Sequence, residues 1–527
     1  MHNRPSQKLS LISASLFAVA PVLVACGSPL ASTSPSAQSA QAAPRTAQAT
    51  QVAPRTASAG KIHLEAENAT LTGATVATTR AGHSGTGYVT RLQDASDKIV
   101  WSIPQAKAGV YEATIRYSSP SGEKGYDLVI NGLKSSGMFA QTGDVFASHI
   151  AGKVELQDGP NTVAIEKGWG YYDIDSIDFV PATVEALKKP PKTLIDAKAT
   201  AKTRALMSYL VDLYGEKTLS GQYQQRDTDY IRTTTGKTPA VMGGDLIEYS
   251  PTRVSNSSKP ANYTENIIGN ARNGQIVTML WHWNAPADLI NNERHVNERG
   301  QTINALWWRG FYTDASTFDL QKALADPQSK NYKLLLSDID TIAVELKKFA
   351  AADIPVLWRP LHEAEGGWFW WGAKGPEPFK QLWKLMYDRL TNHHQLHNLI
   401  WVYSSGTKPE WYPGDRYVDI VGIDQYPADV RDPLSSVWEE LKKQHGGRKL
   451  LALTEIGGVP DVERMRRYGV RWSFFVSWVN DLGPKKMSND ALSQIYRSDA
   501  VLTQDELKPV VATKSNARSA PPASPKR

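Results

Sequence analysis

The chain has 527 residues, enough for two or three domains at about 150 residues each. Hydrophobic residues make up 41% and charged residues 21%, a balance that excludes both a disordered chain and a polytopic membrane protein. The net charge of +6 comes from 59 Lys+Arg against 53 Asp+Glu spread along the chain, so no clustered nucleic-acid footprint is expected.

Residues 1–26 open with a positive segment containing Arg4 and Lys8, run apolar from Leu9 to Ala25 and stop at Cys26. This is the form of a secretory signal; three serines and Pro21 in so short a run argue against a permanent transmembrane helix. Leu23-Val24-Ala25-Cys26-Gly27 resembles a bacterial lipobox, which implies lipidation of Cys26 and a cell-surface or extracellular location, with the membrane reached only through that anchor. Cys26 is the lone cysteine, so disulfide frameworks and multi-thiolate zinc sites are excluded. Residues 27–60 collapse to Ala, Ser, Thr, Gln and Pro and repeat Ala-Pro-Arg-Thr-Ala at positions 43 and 53, which reads as a tether.

Residues 61–181 carry short β-rich runs: Lys61–Glu67, Gly87–Arg91, Lys98–Ile103, Gly109–Tyr117, Tyr126–Ile130, Gly152–Leu156, Asn161–Glu166 and Ile174–Val180. Turn signals such as Asn131-Gly132 punctuate them, and the pattern predicts a β-sandwich of jelly-roll type. A charged, proline-containing linker follows over 182–194.

Residues 195–507 alternate apolar runs with helical stretches. The runs are Thr218–Tyr223, Pro239–Asp245, Gln275–His282, Pro355–Glu363, Leu399–Ser404, Asp419–Tyr426, Lys449–Glu455 and Val470–Trp478; the clearest helices are Lys333–Ala351, Glu377–Leu390 and Val437–Gln444. Eight β segments alternating with helices give the count of an α/β fold of the (β/α)8 TIM barrel type. A doubly wound open sheet is the rival, but Gly243-Gly244 lacks the Gly-rich phosphate turn that such a sheet favours. A tail rich in Ser, Ala, Pro and Lys closes the chain over 508–527.

A barrel places its chemistry at the C-terminal ends of its strands, here Gln222, Asp245, Trp281-His282, His362-Glu363, Asp424 to Tyr426, Glu455 and Trp478. Glu363 and Glu455 end the fourth and seventh runs. A retaining glycosidase needs two carboxyl groups about 5–5.5 Å apart, one to protonate the leaving oxygen and one to attack the anomeric carbon. Spacing alone does not give their separation, and a Glu that ends a strand is often only a cap. Beside Glu363 lies Gly366-Gly367-Trp368-Phe369-Trp370-Trp371-Gly372, whose rings can stack sugars and desolvate an acid, with one or two of them packing as core. Fourteen of the 16 tryptophans lie from Trp281 onward, consistent with a cleft lined for flat ring faces.

The segment Arg359-Pro360-Leu361-His362-Glu363, continuing to Gly372, resembles the acid/base signature of glycoside hydrolase family 26, chiefly endo-β-1,4-mannanases. Ser220-Gly221-Gln222, Trp307-Trp308-Arg309-Gly310-Phe311-Tyr312, Gly422-Ile423-Asp424-Gln425-Tyr426 and Thr454-Glu455-Ile456-Gly457 are similar to further family motifs, in order. The resemblance implies Glu363 as acid/base, in preference to Glu365, and Glu455 as nucleophile. It implies His282 and His362 lining the subsite of the distorted sugar, Arg359 and Tyr426 hydrogen-bonded to the nucleophile, and Trp478 as ring platform. Trp281, Trp368 and Asp424 are expected to touch substrate.

The sandwich region resembles a family 35 carbohydrate-binding module, on Leu64-Glu65-Ala66-Glu67, Gly82 to Tyr88, and Gly168-Trp169-Gly170-Tyr171-Tyr172-Asp173-Ile174-Asp175. This implies a structural calcium on Glu65, Glu67 and Asp175, and sugar stacking on Trp169 with Tyr171 or Tyr172. No cofactor is expected for catalysis. The partner is expected to be a β-mannan polysaccharide and the chain a monomer. A family 26 glucanase or xylanase is the alternative within the class, and a non-catalytic surface lectin the alternative outside it. His393 and His397, at i and i+4, read as a solvated helix face, His362-Glu363-Ala364-Glu365-Gly366 is not a zinc-protease motif, and no G-x-S-x-G elbow occurs.

Overall fold

The computed structural model describes residues 60–297 and 300–508. The signal segment, Cys26 and nearly all of the first tether and the tail lie outside the described residues. None of the helices described is long and apolar enough to cross a membrane.

Residues 62–181 form two facing antiparallel sheets. One runs Thr75–Ala77, Tyr88–Thr90, Asp173–Pro181, Gly109–Ser118, Ala147–Leu156, with Ile62–Glu65 also paired to Asp173–Pro181. The other runs Thr70–Thr72, Lys98–Ala106, Gly159–Glu166, Lys124–Ile130, Leu133–Phe139. Alternation along Lys98–Ala106 sends Ile99, Trp101 and Ile103 inward and leaves Lys98 and Ser102 exposed, the period-2 pattern of a half-buried strand. Tyr117, Phe139 and Tyr126 stack as a core layer, with centroids 4.1 and 4.2 Å apart. The last two strands of the second sheet are joined by Asn131-Gly132, both at positive φ as a tight hairpin requires. Three strands were not expected from the sequence: Thr70–Thr72, Thr75–Ala77 and Leu133–Phe139.

The second region is a closed eight-stranded parallel barrel. Its strands are β1 (Gly221–Tyr223), β2 (Val241–Asp245), β3 (Ile276–Leu280), β4 (Val356–Arg359), β5 (Leu399–Tyr403), β6 (Ile420–Gln425), β7 (Leu450–Ile456) and β8 (Phe475–Ser477). Each lies within one of the runs predicted except β7, which extends one residue past its run to Ile456. Buried on both faces, they lack alternation and read as continuous apolar runs, as β3, β5 and β7 show. The outer helices are amphipathic. Lys330–Ala351, capped by Ser329 Oγ accepting from Tyr332 N–H at 3.1 Å, turns Leu335, Ile339, Ile342, Leu346 and Phe349 inward at helical spacing.

The sandwich does not hang free on residues 182–194. Strand Ala147–Leu156 packs against helix Ser435–His445 of the barrel. Lys153 N–H donates to Ser435 Oγ at 2.8 Å, and Lys153 Nζ reaches Glu439 Oε1 at 2.6 Å with both side chains largely buried. Gly152, at φ +93°, lies so close to the helix that a Cβ would stand 2.4 Å from Ser435 Oγ.

Candidate active site

Glu455 sits near the end of β7, where a bulge at Thr454 brings it opposite Asp424 of β6. Arg359, the last residue of β4 and fully buried, donates from Nη2 to Glu455 Oε2 at 2.7 Å. Its other nitrogens are committed to Asp424 Oδ2, to Ser404 Oγ at 3.1 Å and to Tyr223 OH at 3.1 Å. Tyr426 OH donates to the remaining oxygen of Glu455. Two donors, one of them cationic, fix this carboxylate in place.

Glu363 follows β4 in a loop where Leu361 (φ 51°) and Glu363 (φ 53°) both adopt the left-handed conformation, costing roughly 1 kcal/mol each. The loop is secured by Glu363 N–H donating to Ser404 O at 2.9 Å and by the Trp371 indole donating to His362 O at 2.8 Å. Burial pushes the Glu363 carboxyl well above the ordinary glutamate range, and the charges of Glu455 and Asp424 push it further. Its one indole partner, Trp368 Nε1, donates to Oε2 at 2.9 Å. Trp368 is 47% exposed, and Gly366 lets its ring approach, since a Cβ there would stand 2.0 Å from the ring.

Beside Glu363 lies a line of three polar groups. Asp245, ending β2, accepts at Oδ2 from His282 Nδ1 at 2.7 Å, and His282 Nε2 stands 3.2 Å from His362 Nε2. Burial, with His282 and the Arg359 charge, holds His362 well below the ordinary histidine value, so its ring is neutral. The two rings meet through their Nε2 atoms, so one must donate to the other. Trp478, partly exposed at the end of β8, closes the floor, 6.1 Å from His282 and edge-on to Tyr223.

The structure therefore assembles Glu363, Glu455, His282, His362, Arg359, Tyr426, Trp368 and Trp478. It corrects two expectations of substrate contact. Trp281 is buried, stacked on Trp283 at 4.3 Å with its indole on Ser250 Oγ; in the segment that follows β3, His282 turns to the mouth and Trp281 away from it. Asp424 is sealed beneath the site, accepting from Arg359, Ser404 and Thr454, and Arg359 itself is too deep to touch sugar. Phe369, Trp370 and Trp371 are all core, which leaves Trp368 as the exposed ring of that loop. Glu365, the rival acid, is taken up by the β5 loop, accepting from Lys408 N–H at 2.9 Å. Asp245, Tyr223, Ser404 and Thr454 were not assigned from sequence; Asp245 alone had a signal, as a carboxylate ending a strand.

In the sandwich, Trp169 and Tyr171 are each 58% exposed, whereas Tyr172 is buried edge-on to Phe139 and cannot stack on sugar. Glu65, Glu67 and Asp175 gather around Ser84-Gly85. Asp175, fully buried, is engaged by Ser84 and by the Arg116 guanidinium, which makes it the poorest of the three as a cation ligand. The buried Oε2 of Glu67 has no hydrogen-bond partner. His393 ends a π-helical turn and His397 lies beyond it, 2.8 Å from Asp196, so the two do not share a helix face. His393 instead joins Asp340 and His394 in the one cluster of three metal-ligating groups among the described residues, but Arg389 already grips both oxygens of Asp340.

A closed (β/α)8 barrel carrying two glutamates on its C-terminal face, one pushed toward its protonated form by burial and one gripped by an arginine and a tyrosine, is the architecture of a retaining glycoside hydrolase. Comparisons with known proteins agree. Residues 195–506 match Glycosyl hydrolase family 26 and residues 62–182 match Carbohydrate binding module (family 35). The chain belongs to glycosyl hydrolase family 26 and carries a family 35 module. A mannan endo-1,4-beta-mannosidase of Thermothelomyces thermophilus is 43% identical over 446 residues, covering 84% of this chain and 90% of the relative. Mannan endo-1,4-beta-mannosidase B of Piromyces sp is 30% identical, covering 85% and 77%. Among solved structures, a Podospora anserina GH26-CBM35 beta-(1,4)-mannanase superposes with TM-score 0.62 at 43% identity, covering 86% of this chain and all of that one.

Proposed function

We propose that this chain is a retaining endo-β-1,4-mannanase acting on mannan, galactomannan or glucomannan, by double displacement. The observation that carries it is the pair of glutamates in different surroundings, one in the loop after β4 and one on β7, in a chain that aligns over most of its length with mannan endo-1,4-beta-mannosidases. Glu363, protonated, gives its proton to the leaving oxygen while Glu455 attacks the anomeric carbon to form a glycosyl-enzyme. Glu363, now ionised, takes a proton from the water that releases the sugar. His282, backed by the buried His362, forms the wall and Trp478 the floor of the reacting subsite. No cofactor enters this chemistry.

Trp169 and Tyr171 are the sugar platform of the module. Glu65 and Glu67 suit a hard divalent cation such as calcium, with the unpartnered Glu67 Oε2 as the group it satisfies; melting in EDTA against calcium reads it, and equal midpoints sink the idea. The signal segment supports tethering at a bacterial surface by lipid on Cys26, read by palmitate incorporation that Cys26→Ser removes.

The decisive test is chromatography of products from galactomannan, glucomannan, mixed-linkage glucan and xylan, beside Glu363→Gln. A ladder of manno-oligosaccharides that vanishes in the variant supports the reading, and NMR of the first product should show the retained anomer. Cleavage confined to glucan or xylan overturns the substrate. Binding without cleavage in the unmodified protein overturns the enzyme.

A further inference from the structure

The platform of the module and the mouth of the barrel are joined by an unbroken series of contacts. Trp169 lays its ring over Gly125, where a Cβ would stand 3.2 Å from the indole, and the Trp169 backbone N–H donates to Gly125 O at 2.8 Å. Two residues before Gly125, Glu123 Oε2 accepts from Lys408 Nζ at 2.8 Å. Lys408 belongs to the loop that follows β5 on the C-terminal face of the barrel, and its Nζ also stands 3.6 Å from Glu365 Oε1. That loop is the one that holds the acid: Ser404 O accepts from Glu363 N–H at 2.9 Å, and Ser405 Oγ from Glu365 N–H at 3.1 Å. Chain geometry along this path puts the Trp169 ring within about 40 Å of the Glu363 carboxyl. The platform cannot swing, because Lys153, Gly152 and Ser435 dock the sandwich on the barrel.

We propose that the Trp169/Tyr171 platform and the barrel cleft form one continuous track for a single polysaccharide chain, with the Glu123–Lys408 ion pair under the join. The inference rests on the mannanase reading and deepens it. A chain seated in the cleft meets the platform as an intramolecular second site at fixed distance, so affinity gained there depends on chain length and not on capture by a second molecule. Exposure fits this arrangement: Trp169, Tyr171 and Trp368 are exposed large aromatics, one pair at one end of the path and one ring at the other.

The test is calorimetric binding of a length series of manno-oligosaccharides to the full chain carrying Glu363→Gln. Affinity should level off once the cleft is filled, then rise again about tenfold when chains become long enough to reach the platform, at one oligosaccharide per protein. Adding Trp169→Ala should remove the second rise, and Trp169→Phe should keep part of it. Two oligosaccharides bound per protein at every length, or a second rise untouched by Trp169→Ala, overturns the track. If short manno-oligosaccharides do not bind and the unmodified enzyme does not cleave mannan, the mannan reading fails first and the track with it.

Discussion

Glu363 and Glu455 are one amino acid in two surroundings: one is desolvated and faces other carboxylates, the other is gripped by Arg359 and Tyr426. The pKa of Glu363 is raised in the fold, so it holds its proton where an unfolded glutamate has lost it. Two consequences follow with defined signs. The value of kcat/KM falls on the alkaline side as Glu363 ionises, which a pH–rate profile will show. Stability is full below the unfolded glutamate value and is lost as pH rises toward the folded one, so Glu363→Gln should raise the calorimetric midpoint more at pH 8 than at pH 4. Asp245 acts through His282. Asn at that position keeps the Ile247 and His282 backbone bonds through its carbonyl oxygen but no longer offers a carboxylate to Nδ1. Asp245→Asn should lower kcat/KM about tenfold or more, at an unchanged circular dichroism spectrum.

The helix Lys330–Ala351 lays a carboxyl into the core: Asp338, 2% exposed, accepts from Trp283 Nε1 at 2.8 Å, and burial lifts it to about 7. Unfolded aspartate ionises near pH 4, so the protein should lose stability between pH 4 and pH 7, by up to about 4 kcal/mol. Asn accepts the same indole bond, and Asp338→Asn should flatten that slope in denaturant titrations across the window. How much of the fold was legible follows from burial. All eight barrel strands fell on predicted runs, and β3, β5 and β7 stood out because two covered faces demand largely apolar sequence. Leu133–Phe139 did not, being an edge strand with Lys134, Ser135 and Ser136 only half covered, and Thr70–Thr72 and Thr75–Ala77 are three-residue pieces. At the site, residue type was legible and facing was not. The neighbours Trp281 and His282, like Tyr171 and Tyr172, point opposite ways, and a one-residue difference decides which touches solvent. Tyr223 and Thr454 join the site only through contacts across the barrel, which no local pattern carries.

The sandwich and barrel should unfold together as long as strand Ala147–Leu156 lies on helix Ser435–His445. Gly152→Val places side-chain atoms where Ser435 Oγ and the Ser436 backbone already stand, in a conformation at φ +93° that valine resists. It should split one calorimetric transition into two, with the sandwich melting first. Nine wholly buried tryptophans, from Trp281 to Trp472, all belong to the barrel, while the sandwich holds only Trp101 inside and Trp169 outside. The light emitted on heating is therefore dominated by one of the two bodies, and heat absorption counts both. Overlaying the two traces on the unlabelled protein measures how tightly the bodies are mechanically coupled, and the optically quiet one appears as the difference between them.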